Sequence, residues 1–135
     1  MTSKELINKA LEAMNMSYSP YSDFKVGAAL LCDDGTVYTG CNIENSAFSP
    51  TCCAERVAIF KAISEGNNKF SAIAVVGGKQ GRIEGFCSPC GVCRQVMAEF
   101  CNPQEFKIIL ANRLDNYRVY TLLELLPLGF SLNTQ

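Results

Sequence analysis

Leu6, Ile7, Ala10, Leu11 and Met14 recur at the three- and four-residue spacing of one helix face. Thr2 stands where it can cap that helix, and Glu5, three residues on, completes the signature of a capping box. Tyr18-Ser19-Pro20-Tyr21 ends it. Residues 25–32 are then almost unbroken in apolar character, which predicts a buried strand. Asp33-Asp34-Gly35-Thr36 signals a hairpin, with Asp34-Gly35 suited to a primed turn. Residues 37–41 form the returning strand.

A loop rich in Asn, Ser, Pro and Thr covers 42–52, and a helix follows over 53–65, stopped by Gly66-Asn67. Residues 71–77 are continuously apolar and predict a central strand. Residues 78–88 read as loop or strand end, 89–100 as a helix, 106–111 and 117–120 as strands, and 121–126 as a last short helix. Strands alternate with helices from the second helix onward. This predicts an α/β fold with a largely parallel sheet. In such sheets ligands sit in loops after strands and at helix starts.

A length of 135 residues, with 48% hydrophobic and 19% charged, suits one domain spanning 1–135 whose core needs no disulfides. Mean hydropathy is slightly positive at +0.09, which hints at self-association. The net charge is -1 and the pI about 5.4, and Lys and Arg are scattered. A nucleic-acid binder usually carries a basic stripe, so a small-molecule substrate is expected instead. The first ten residues are polar and charged, and no apolar run approaches the length of a membrane span. A cytoplasmic setting is therefore expected, where thiols stay reduced. Eight cysteines in that setting read as metal ligands or small buried hydrophobes.

The chain has no histidine, so the commonest general base and the commonest neutral metal ligand are both missing. Acid–base chemistry near neutral pH then falls to a carboxylate or a metal-activated water. Cys90 and Cys93, in Pro89-Cys90-Gly91-Val92-Cys93, lie three apart at a helix start, where two sulfurs can share a face. Helix N-termini stabilise thiolates. Cys53 opens another helix in Cys53-Ala54-Glu55-Arg56. Glu55 cannot share the direction of Cys53 two residues earlier, which suits a proton carrier better than a ligand. Zinc deaminases combine a His or Cys first ligand, a non-ligand Glu and Pro-Cys-x-x-Cys in this way.

Over nearly its whole length the chain resembles the short, homotetrameric, three-cysteine cytidine deaminases. The matching residues are Phe24-Lys25-Val26-Gly27-Ala28, Asn42-Ile43-Glu44-Asn45, Cys53-Ala54-Glu55-Arg56, Ser88-Pro89-Cys90-Gly91 and Cys93-Arg94-Gln95. The resemblance implies a three-layer α/β/α sandwich with a mixed, largely parallel five-stranded sheet. It implies one zinc per subunit on Cys53, Cys90 and Cys93, with water in the fourth position and Glu55 as proton shuttle. Asn42 and Glu44 would meet the ribose 3′-hydroxyl, and Phe24 would pack on the base. The Ala54 N–H and the Ser88 carbonyl would read the pyrimidine edge, and Phe130 would reach a neighbouring subunit's site. Phe48 departs from the tyrosine that similar enzymes often carry.

The expected reaction is hydrolysis of cytidine, and of 2′-deoxycytidine, to the uridine counterpart and ammonia in pyrimidine salvage. Zinc-bound hydroxide would attack C4 while Glu55 shuttles protons to N3 and to the leaving amine. A dication held by three thiolates is a weaker Lewis acid than one held by neutral ligands, so Arg56 and the two helix starts are expected to offset charge. Other readings remain open at this stage. Cys52 or Cys87 would close a structural zinc site as a fourth ligand, making the chain a zinc-stabilised interaction domain. Cys87-x-x-Cys90-x-x-Cys93 is also part of an iron–sulfur spacing, although Met97 stands where the next cysteine belongs. Another aminated base or nucleoside analogue could be the substrate. Cys32, Cys41, Cys52, Cys87 and Cys101 are expected to be buried hydrophobes.

Overall fold

A computed structural model describes residues 1–132. Residues 133–135 of the expected domain lie outside that range. Helix α1 spans Ser3–Met14, and the Thr2 side chain caps it by accepting the Glu5 N–H at 3.2 Å. Its buried residues are Leu6, Ile7, Ala10 and Met14, the face that the spacing predicts. Strands β1 (Phe24–Cys32) and β2 (Val37–Cys41) form the hairpin.

The turn of that hairpin is not primed. Only Gly35 takes a positive φ, +90°, and its N–H donates to the Cys32 carbonyl at 3.0 Å, while the Cys32 N–H reaches Thr36 at 2.9 Å. A three-residue connection with a left-handed glycine fits this pattern. The Asp34 carboxylate accepts the Thr36 N–H at 3.0 Å, which holds Asp34 out of the left-handed region.

Helix α2 (Ala54–Ser64) leads to β3 (Phe70–Lys79), and α3 (Gly91–Phe100) leads to β4 (Lys107–Arg113). The described chain closes with β5 (Asn116–Thr121) and the short α4 (Leu122–Leu125). A full reciprocal capping box forms at Thr121 and Glu124 of α4.

The five-stranded sheet runs in the order β2-β1-β3-β4-β5. It is mixed but mostly antiparallel, which corrects the largely parallel expectation. Only β3 and β4 pair in parallel, and the other three pairings are antiparallel. The physical reason is the position of β1. Strands β2, β3 and β4 do point the same way, as strand–helix alternation implies. The hairpin places β1 between β2 and β3, so two of these three strands never become neighbours.

That arrangement positions the site. Helices α2 and α3 each follow a strand of the same direction, so both begin at the same edge of the sheet. Side chains alternate along the strands into two cores. Val26, Ala28 and Leu30 of β1 face α2 and α3, together with Ile73 and Val75 of β3. Ala29, Ala74 and Val76 face α1. With both faces covered, β3 is apolar and buried over residues 72–78, and burying a side chain such as Ile73 contributes about 2–3 kcal/mol. Gly40 of β2 lets α2 come close, since a Cβ there would sit 2.4 Å from the Ala54 carbonyl oxygen.

Candidate active site and metal centre

Cys53 is the N-cap of α2, in extended backbone (φ −72°, ψ 154°) with no side-chain cap bond, so its sulfur is not spent on the helix. Cys90 is the N-cap of α3, and its Sγ accepts the Cys93 N–H at 3.4 Å. Cys93 is buried within the first turn of α3. The three sulfurs lie within 4.8 Å of one another, and the Cys53 and Cys90 sulfurs are 3.7 Å apart. Tetrahedral zinc with Zn–S bonds of about 2.3 Å needs sulfurs about 3.8 Å apart. The donor set and its spacing therefore fit zinc.

Among the described residues, neither Cys52 nor Cys87 belongs to the group of donors that could share an ion. A fourth cysteine does not close the site, and no arrangement of Cys87 with Cys90 and Cys93 for an iron–sulfur cluster is formed. Zinc held by these three sulfurs would keep one position for a small ligand, as in catalytic rather than structural zinc sites.

Glu55 is 3% exposed, buried beside the sulfurs on the first turn of α2, and is not one of the three donors. Burial pushes its pKa up to about 7, with help from the charge of Cys53. Hydrogen bonding from Cys93, then from the Arg56 guanidinium, holds the Cys53 thiol down at about 5. Cys93, which shares a proton with Cys53, is shifted the other way. The neighbouring thiols and the Arg56 guanidinium favour a thiolate at Cys53, and a dication would draw the remaining protons off.

Arg56 Nη2 donates to Cys53 Sγ at 3.3 Å, and this contact raises the pKa of Arg56. Its Nε is buried and has no hydrogen-bond partner among the described residues. Ala54, wholly buried, presents one of the first N–H groups of α2, which the helix itself leaves unsatisfied.

Ser88 is exposed just before α3. Arg94 fastens this segment: it donates to Ser88 Oγ at 2.6 Å, to the Pro89 carbonyl at 2.8 Å and to the Leu125 carbonyl at 2.5 Å. In the sequence Arg94 stands out only as part of Cys93-Arg94-Gln95, and nothing there marks it as the fastener of this segment.

Phe24 opens β1 and is 39% exposed at a cleft of about 290 Å³ lined also by Gly77, Phe86 and Cys87. The Asn42 side chain clamps the start of that strand. Its Oδ1 accepts from Ser17 Oγ at 2.5 Å and the Val26 N–H at 2.9 Å, and its Nδ2 donates to the Phe24 carbonyl at 2.7 Å. Glu44 Oε1 accepts the Tyr21 and Ser22 N–H groups at 2.9 and 3.2 Å, and Oε2 accepts the Ser22 hydroxyl. The Ser22 hydroxyl, then these amides, hold Glu44 below the usual carboxylate range.

Phe130 is 70% exposed and lies apart from the sulfurs, in an apolar pocket with Leu122, Leu126 and Leu128. Gln95 Nε2 holds its carbonyl at 3.0 Å. Phe48 has a left-handed φ of 65°, and its ring meets Tyr21 edge-on at 6.0 Å. Of the remaining cysteines, Cys32 and Cys101 are buried in the core as expected, whereas Cys41, Cys52 and Cys87 are only half-buried.

Three thiols at two converging helix starts, with a buried acid at hand, suit metal-assisted hydrolysis at an electron-poor carbon. The description "cytidine and deoxycytidylate deaminase zinc-binding region" matches residues 1–109. Over 131 residues the chain is 50% identical to the cytidine deaminase of Sporosarcina psychrophila, covering 97% of this chain and 93% of that protein. It is 47% identical to that of Halalkalibacterium halodurans over 131 residues, covering 97% and 96%. The crystal structure of cytidine deaminase from Burkholderia pseudomallei superposes with a TM-score of 0.88 at 45% identity, covering 96% of this chain and 100% of that one. The chain belongs to the cytidine and deoxycytidylate deaminase family.

Proposed function

We propose that this chain is a zinc-dependent cytidine deaminase that hydrolyses cytidine, and also 2′-deoxycytidine, to the uridine counterpart and ammonia in pyrimidine salvage. The observation that carries this reading is the cup of Cys53, Cys90 and Cys93 sulfurs beside the buried Glu55. Zinc bound in the cup supplies a Lewis acid that makes water nucleophilic near neutral pH.

The chain's own residues do the rest. Cys53, Cys90 and Cys93 hold the metal, and Arg56 offsets thiolate charge through its contact with Cys53. Glu55, whose pKa burial brings to about 7, can both take up and release a proton at neutral pH. It moves one proton to N3 of cytosine and a second to the exocyclic amine. The water oxygen adds to C4 as the C4–N3 double bond opens onto the protonated N3; the C4–amine bond then breaks as C4 becomes a carbonyl, and the amine, carrying the second proton, leaves as ammonia. Phe24 packs on the base, and the Ala54 N–H and Ser88 carbonyl read the pyrimidine edge. Asn42 and Glu44 hydrogen-bond the 3′-hydroxyl, which selects a nucleoside over a free base.

The placement of α1 on one sheet face and of α2 and α3 on the other supports a three-layer α/β/α sandwich, forming one domain over 1–135. A homotetramer in which Phe130 reaches a neighbour's site is supported by the exposure of Leu128, Phe130 and Leu132. Among the described residues no helix is long and apolar enough to cross a membrane. Eight free thiols suit a reducing cytoplasmic setting, and the scattered charge suits a small nucleoside rather than a nucleic acid.

The test is zinc content and cytidine-to-uridine turnover for wild type and Glu55→Ala. The variant keeps zinc and loses about a hundred- to ten-thousandfold in turnover. Unchanged turnover would sink the shuttle role. Zinc-replete wild type that deaminates neither nucleoside would overturn the substrate.

A further inference from the structure

The Ser22 hydroxyl stands between two groups of opposite character. It donates to Glu44 Oε2 and accepts the Phe24 N–H at 3.1 Å. An ionised carboxylate only accepts and a backbone N–H only donates, so the group that joins them must do both, as a hydroxyl does. The Glu44 carboxylate offers about four acceptor sites. Two donors, the Tyr21 and Ser22 amides, occupy Oε1, and the Ser22 hydroxyl occupies one site on Oε2. A single acceptor site is left on Oε2, enough for one hydroxyl.

The surrounding turn is held rather than loose. Asp23, between Ser22 and Phe24, has φ 55°, and Gln80 has φ 57°, a left-handed conformation uncommon outside glycine, although Asp adopts it more readily than Gln. The Gln80 N–H donates to the Asp23 carbonyl at 2.6 Å, and the Asp23 N–H donates to the carbonyl of buried Ser19 at 2.9 Å. Backbone held in this region persists where neighbours fix it, and it concentrates at functional sites. With Asp23 clamped on both sides, the backbone of Ser22 is kept beside Glu44, and the Phe24 N–H holds its hydroxyl.

We propose that Ser22 is a positioning residue that fixes the Glu44 carboxylate for the 3′-hydroxyl of the nucleoside. The inference rests on the reading that Glu44 meets that hydroxyl. Without the Ser22 hydroxyl, Oε1 keeps its two amide donors but Oε2 loses the bond that sets its direction.

The test measures KM and kcat for cytidine and for 3′-deoxycytidine with wild type, Ser22→Ala, Ser22→Thr and Glu44→Gln, with zinc content as the check of an intact site. Ser22→Ala is expected to raise KM for cytidine about tenfold, equivalent to about 1.4 kcal/mol, while kcat stays within about twofold. KM for 3′-deoxycytidine stays at its wild-type value, and Ser22→Thr, which keeps the hydroxyl, restores the cytidine KM. Equal losses on both substrates would overturn the proposal, because Ser22 would then act through Phe24 or the turn as a whole. If only the Ser22 role is wrong, Glu44→Gln still raises the cytidine KM selectively and Ser22→Ala does not. If the sugar contact itself is wrong, neither variant discriminates between the substrates, and both ideas fall.

Discussion

The sulfurs of Cys53 and Cys90 lie 3.7 Å apart although the residues stand 37 positions apart in the chain, and each cysteine is the N-cap of its own helix. The convergence follows from strand direction. Strands β2 and β3 point the same way with β1 between them, so α2 and α3 start at the same sheet edge. Both cysteines therefore stand at helix starts, where the first N–H groups lack partners within the helix and negative charge is favoured.

The close approach of α2 to β2 depends on Gly40. A Cβ at that position would meet the Ala54 carbonyl oxygen at 2.4 Å and the Ala58 nitrogen at 2.7 Å, both backbone atoms of the helix that carries Cys53 and Glu55. Gly40→Ala is expected to cost about 1–3 kcal/mol and to lower zinc occupancy by displacing the start of α2. Urea unfolding and metal analysis check this; a wild-type midpoint with full zinc would contradict it.

Arg56 is expected to matter through the metal rather than through folding. Removing the donor to Cys53 Sγ in Arg56→Ala should lower zinc affinity or turnover by about 10- to 100-fold. Arg56→Lys should recover only part of the loss, since an ammonium cannot reproduce the guanidinium fork. Zinc titration against a competing chelator, alongside steady-state rates, separates the two effects. Wild-type values for Arg56→Ala in both would refute the charge-offset role.

Stability should fall at alkaline pH, and the buried thiols set the window. Burial pushes Cys101 from 9.0 up to about 12 and Cys32 up to about 11, with Asp33 and Asp34 adding to the rise. A raised pKa means that the folded state holds a proton that the unfolded chain releases. The stabilisation is complete below about pH 9 and is lost as pH rises toward 11–12. Unfolding free energies between pH 8 and 11 should therefore decline, and Cys101→Ala should decline less steeply. An identical slope in the variant would remove Cys101 from the account.

Phe130→Ala is expected to raise KM for cytidine by about tenfold while leaving zinc content unchanged, because the ring would act in a neighbour's site. Sedimentation and kinetics together decide the matter. A fully active monomer would rule out a shared site.

Much of the local structure was legible in the chain. The apolar period of α1, the β1–β2 hairpin and the unbroken apolar run of β3 all follow from side-chain spacing, because each element buries a face of fixed periodicity. Cys53, Cys90, Cys93 and Glu55 stood out as chemistry-bearing types at helix starts. The sheet was misread because alternation of strands and helices fixes strand direction, not which strands are neighbours. Ser22 and Arg94 gave no signal of their own, since a loop serine and a helix arginine are unremarkable until their partners are known.

By itself the sequence determined the elements, the absence of histidine and the set of thiols and acid available for chemistry, since these depend on residue type and short-range spacing. The tertiary structure decided the strand order, the meeting of two distant helix starts in one cup, and the burial that lifts Glu55 to about 7. Those features depend on contacts between parts of the chain far apart in sequence, and on the removal of water from between them, which no local pattern records.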